Sequence, residues 1–147
     1  MHLHPSVAGL IVEIGRDYGM KAVRVPSEPV AVLHRAFPDE HYRTPLYRPW
    51  VFGLRRRLQR AGLRTNDHLF GLTWSSRMVE GRILGLIPHL PDGVSEIYFH
   101  PAAERPPSLV PAIGSHPRAE ELATLLSPVL RDRIAESGIR LVSYSDL

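Results

Sequence analysis

Ser95-Glu96-Ile97-Tyr98-Phe99-His100-Pro101-Ala102 is the stretch whose reading decides the fold. Ile97-Tyr98-Phe99 is β-branched and aromatic, the composition of a short buried strand. Pro101 cannot donate to a ladder, so the strand ends there. His100 therefore stands at a strand's C-terminal tip, the end that carries chemistry in α/β folds. A histidine at such a junction can also serve only packing or hydrogen bonding, and the octapeptide alone leaves both roles open.

On the N-terminal side, Asp92-Gly93 turns the chain into this strand. Before the turn, Ser75 or Ser76 caps a helix from about Arg77 to His89, with Val79, Ile83, Leu86 and Ile87 inward. Arg64 to Gly71 reads as another strand, with His68 and Phe70 near its end. Trp50 to Ala61 is helical, with Val51, Leu54, Leu58 and Ala61 on one face and Gly62 as the stop. Arg55, Arg56, Arg57 and Arg60 cover the rest of that helix. Such a run is more often a solvated face than a nucleic-acid surface.

Pro26 to Pro49 is the least regular part, with a short helix expected near Val30 to Arg35. A loop this long is usually functional or mobile. Ala22-Val23-Arg24-Val25 is a strand stopped by Pro26. Arg24 lies near its C-terminal end, either salt-bridged at the rim or clamping a substrate. Ser6 caps a first helix that carries Val7, Leu10, Ile11, Ile14 and Tyr18 on one face, and Gly19 ends it. His2 and His4 are two apart, so in an extended segment they point the same way. Two imidazoles can start a divalent metal site but need a third ligand; at a chain terminus they can equally be solvated.

On the C-terminal side, Ala102 to Ser115 is a second Pro-rich loop. Pro117 and Glu120-Glu121 suit a helix's first turn, running through Leu126. Ser127-Pro128 starts another helix as N-cap and N1, and Gly138 ends it. Ile139 to Ser143 reads as a last strand, followed by Tyr144, Ser145 and Asp146. The order is helix, strand, helix, strand, helix, strand, helix pair, strand. Such alternation implies an α/β fold with a parallel sheet. Its four strand ends would present Arg24, His68, His100 and Asp146 on one side, without a Gly-rich phosphate loop.

The 147 residues suffice for one domain with a real core, and 44% hydrophobic with 22% charged residues is ordinary for a globular chain. Cysteine is absent, which excludes disulfides, thiolate metal sites and a cysteine nucleophile. No apolar run approaches the roughly 20 residues of a membrane helix. No signal peptide is visible either, so a cytoplasmic protein is expected. Of 18 basic residues only Lys21 is lysine. That excess of arginine suggests a GC-rich bacterial genome more than a nucleic-acid ligand.

Taken together, His2-Leu3-His4-Pro5, Val23-Arg24-Val25-Pro26, Asn66-Asp67-His68-Leu69-Phe70-Gly71, Glu96 to Ala102, and Ser137-Gly138-Ile139-Arg140-Leu141 through Asp146-Leu147 resemble the YdjC-like carbohydrate deacetylases. The closest likeness is to the hopanoid-biosynthesis-associated HpnK branch, over essentially the whole chain. The resemblance implies a distorted (β/α) barrel. It also implies a divalent metal, Mg or Zn, used to hydrolyse an N-acetyl group from an amino sugar or glycolipid. His100 would give a proton to the leaving amine or orient it, and Arg24, His68 and Asp146 would contact substrate.

Family metal ligands are an aspartate of an early Asp-Asp segment, a later histidine and the first histidine of a His-x-His-x-His run. The chain begins inside that run, with His2 at its last histidine, so none of the three has a counterpart here. The expectation is therefore the C-terminal half of such an enzyme, with His2 and His4 as weak metal candidates. Its open sheet edges would favour self-association, a homodimer included.

Overall fold

In the computed structural model the described residues are 4–103 and 118–147. Chain order gives helix α1 (Pro5–Asp17), α2 (Val30–Ala36), α3 (Arg48–Arg60), strand β1 (His68–Phe70), α4 (Glu80–Leu86) with a 3-10 turn (Ile87–His89), strand β2 (Ser95–Ile97), α5 (Arg118–Leu125) and α6 (Pro128–Glu136). The architecture is α/β and its strands are parallel, as expected. β1 and β2 pair His68 with Ser95, Leu69 with Glu96 and Phe70 with Ile97. The ladder runs one step further, Tyr98 N–H donating to Phe70 O at 2.8 Å.

The expected strand at residues 22–25 lies beside β1 but pairs in an unusual way. Arg64 N–H donates to Lys21 O and Val23 N–H to Arg64 O, both at 2.9 Å, an ordinary parallel step. The next step is made by a side chain. Asn66, fully buried, accepts from Val25 N–H at 2.7 Å through Oδ1 and donates through Nδ2 to Val25 O and His68 O, each at 3.0 Å. One carboxamide thus replaces two backbone partners, which is why only the bridge Ala22–Arg64 remains regular. Leu69 N–H returns to the segment at Ser27 O, 2.9 Å away.

The backbone carbonyl that Asn66 withdraws from this ladder is taken by Arg55 of α3. Its guanidinium donates to Asn66 O at 2.7 Å and Asp67 O at 2.8 Å. One arginine of the α3 cluster is therefore a structural clip, and Arg56 lies over the Phe52 ring at 4.6 Å.

Two apolar clusters hold these layers. Ala8, Val23, Val25, Val51, Leu54, Leu58 and Leu63 join α1 and α3 to the first extended segment. Val32, Leu33, Phe70, Trp74, Met78, Ile83, Leu86, Ile87 and Leu130 join α2, α4 and α6 to β1. Residues 26–49 are fastened rather than loose. Glu28 accepts the backbone N–H groups of Gly71, Leu72 and Thr73 at 2.8–3.0 Å. Glu40 accepts from Trp74 Nε1 at 2.9 Å and pairs with Arg82 at 2.8 Å. Burial and the Glu40 contact push the Tyr42 phenol up to about 12, so it stays a neutral donor to Glu40 at 3.1 Å.

Several boundaries differ from the sequence reading. α1 already includes Pro5, so Ser6 lies in its first turn and is not its cap. Residues 139–143 form no strand: Ile139 packs on the second cluster, while Ser143 turns back toward Asp146. Ser127 does cap α6, accepting from Leu130 N–H at 3.2 Å, and Gly19, Gly62 and Gly138 follow α1, α3 and α6 with φ of 65°, 80° and 70°. Most of the second Pro-rich loop lies outside the described residues. No described helix is long and apolar enough to cross a membrane.

Candidate active site

Side chains alternate across a strand, so Glu96, Tyr98 and His100 share one face of the β2 segment. Ile97 and Phe99 turn the other way, onto the apolar cluster around Phe70. Gly71 brings β1 against this segment. Its φ is 107°, and a Cβ there would stand 2.6 Å from Tyr98 O, so only glycine fits.

Arg24 reaches this face from the neighbouring segment. Its guanidinium pairs with Glu96 and lies over the Tyr98 ring, 4.8 Å from the centroid. The hydrogen bond to Glu96 outweighs burial and raises Arg24 further above its ordinary value, so its charge is permanent. The other Glu96 oxygen accepts from Tyr144 Oη. Burial first, and the Glu96 contact second, push the Tyr144 phenol well up, which keeps it a neutral donor.

His100 stands at the tip. Its Nε2 is 2.7 Å from Tyr98 Oη, and the two rings meet edge to face with centroids 4.4 Å apart. Its Nδ1 is buried and has no hydrogen-bond partner among the described residues. Its backbone N–H donates to Glu121 of α5, which also accepts Met78 N–H at 2.9 Å. Glu121 is fully buried and spans two elements with one carboxylate. Glutamine there offers one oxygen for two donors and turns an amide against an N–H. Glu121→Gln is expected to cost about 1–3 kcal/mol and to speed amide exchange at His100 and Met78; denaturant unfolding and hydrogen exchange measure both.

The four expected strand-end residues do not all meet. Arg24 and His100 come together around Tyr98. His68 opens β1 instead of closing it, and its register with Ser95 puts it on the opposite face from Glu96. Asp146 is exposed and closes a turn, accepting Ser143 N–H at 2.7 Å and Oγ at 2.6 Å. Those bonds hold its carboxyl below the usual range. Tyr144, two residues earlier, is the C-terminal side chain that reaches the site. Alternation from His100 back through Tyr98 to Glu96 was a readable signal for the first two members; Glu121 and Tyr144 had none beyond chain order.

The same residues do not fit a divalent metal. Among the described residues no group of three His, Asp or Glu side chains could hold one. His4 is exposed, its carbonyl accepting Ala8 N–H at 3.0 Å where α1 begins. His2 lies outside the described residues.

The sequence profile of the YdjC-like protein family matches residues 1–136. The chain belongs to the YdjC-like family. Among its relatives, a carbohydrate deacetylase of Geobacillus stearothermophilus is 32% identical over 108 residues, which are 73% of this chain and 42% of that protein. A carbohydrate deacetylase of Mus musculus is 28% identical over an alignment of 172 positions, covering 100% of this chain and 53% of that protein. This YdjC-like chain thus spans about half the length of the curated relatives it matches. A crystal structure from Enterococcus faecalis V583, of a proposed cellobiose-phosphate cleavage protein, superposes with a TM-score of 0.64 at 19% identity. It covers 99% of this chain and 49% of the other, a likeness of fold.

Proposed function

We propose that this YdjC-like chain supplies the proton-donating and substrate-holding part of an amino-sugar N-deacetylase, of the hopanoid-associated HpnK branch, acting on an acetylated amino sugar or glycolipid. The observation that carries the reading is His100, fixed by Tyr98 and Glu121 beside a permanently charged Arg24. Hydrolysis breaks the amide C–N bond, places the water oxygen on the acetyl carbon and puts a proton on the departing nitrogen. His100 is the group for that last proton. Arg24, held from two sides, offers a fixed cation to a substrate oxygen. His68 and Asp146 are given no part in this reading: His68 pairs with Ser95 on the face opposite Glu96, and Asp146 closes a turn with Ser143. The described residues bring together no three side chains for a divalent metal, so such a metal would need at least one ligand from elsewhere.

The test is acetate release by the natural polypeptide that carries this sequence. N-acetylglucosamine, its short oligosaccharides and an N-acetylglucosaminyl glycolipid are offered with Mg or Zn. Acetate from one of them is expected, together with a free amine in equal amount. No acetate from any of them, with sugar binding retained, would assign the chain to carbohydrate binding without catalysis.

A further inference from the structure

We infer that Nδ1 is the working nitrogen of His100 and that Tyr98 is the positioning residue that makes it so. This rests on the deacetylase reading for its catalytic meaning, but the arrangement itself is independently measurable. Tyr98 Oη is 2.7 Å from Nε2. A neutral imidazole has one bare nitrogen and one N–H. A phenol O–H donated to the bare nitrogen is the stronger pairing, since the imidazole nitrogen is far more basic than a phenol oxygen. That choice puts the ring proton on Nδ1.

Nδ1 is shielded from water and has no partner among the described residues. A buried donor without an acceptor is rare in native structures. The backbone of His100 is fixed by Glu121, and its ring edge meets Tyr98. The neutral ring thus offers Nδ1–H as a hydrogen-bond donor to an acceptor that arrives with a ligand, and passes the proton on only from the imidazolium, whose other proton stays on Nε2. Tyr98 also suits both states of the ring, because its hydroxyl can turn and accept from Nε2–H once the imidazole is protonated. The Tyr98 face is occupied by Arg24, 4.8 Å from the centroid, so the hydroxyl sits on a ring that cannot swing away.

The experiment is the ¹⁵N spectrum of His100 in histidine-labelled protein at alkaline pH, assigned with His100→Gln. The expected spectrum shows the proton on Nδ1 in the parent. In Tyr98→Phe, which keeps the ring under Arg24 and removes only the hydroxyl, the ring should relax toward the Nε2–H form that free histidine prefers. A parent with its proton on Nε2, or a Tyr98→Phe spectrum identical to the parent, would overturn the inference, whatever the protein's activity. In the acetate assay Tyr98→Phe should lower kcat about tenfold, the equivalent of one lost hydrogen bond, with KM nearly unchanged. A tautomer change without that split would confine Tyr98 to structure and leave the deacetylase reading to its own test.

Discussion

His100→Ala lowers the rate of acetate release by about 10²–10⁴, the usual loss when a general acid is removed, and leaves the chain folded. The tolerance for the substitution follows from how His100 is held. Glu121 grips its backbone N–H, which alanine retains, and Phe99 and Ile97 keep their places on the apolar cluster. The side chain itself contributes one hydrogen bond, to Tyr98. Rates measured at saturating and limiting substrate, beside a denaturant melt, separate the two effects. Turnover within a few-fold of the parent would return His100 to a structural role. A collapsed melt would show that the Tyr98 contact holds the strand tip.

Asn66→Ala is expected to cost roughly 3–5 kcal/mol, since each buried polar group stripped of its partner costs about 1–3 kcal/mol. Three groups lose theirs together: Val25 N–H, Val25 O and His68 O. Ordinary pairing cannot replace them, because the Asn66 carbonyl that would accept from Val25 is engaged by Arg55 at 2.7 Å. A loss of that size is a large part of a typical domain's stability of about 5–15 kcal/mol. Asn66→Asp should fare little better. It can still accept from Val25 N–H, but it turns an anionic oxygen toward two carbonyl oxygens. Urea unfolding of both variants is the measurement. A change below about 1 kcal/mol would mean that residues 21–27 slide into a regular ladder, with Arg55 releasing its carbonyl.

The run from α3 through β1, α4 and β2, the helix-ending glycines and the Ser127-Pro128 start were legible because each is written within a single element; of the other two expected strands, 22–25 keeps one bridge and 139–143 forms none. His100 and Arg24 do meet around Tyr98, although β2 ends at Ile97 and Arg24 lies beyond the bridge at Ala22 rather than in a strand. What escaped the sequence depends on register between elements. Reading His68 as a strand-end residue failed because β1 begins at His68, and its pairing with Ser95 puts it on the wrong face. Asn66 fell inside a stretch read simply as a strand; its partner lies 41 residues away. Glu121 read as a helix-dipole residue, and it does stand in the first turn of α5, yet it is buried on contacts 21 and 43 residues distant. Tyr144 and Asp146 both follow the expected last strand, and Asp146 was the one read as its strand-end residue. The fold uses the phenol instead, and spends the acid on a turn.

The bond from Tyr144 to Glu96 also fixes an order of events during synthesis. Arg24 meets Glu96 across 72 residues, and Tyr144 follows Glu96 by 48 more. At about 5–20 residues per second, the ribosome takes about 2–10 s to make the intervening stretch. For those seconds Arg24 and Glu96 can already be paired while one carboxylate oxygen still faces water. Among the contacts described at this site, the bond from Tyr144 is therefore the last that can form.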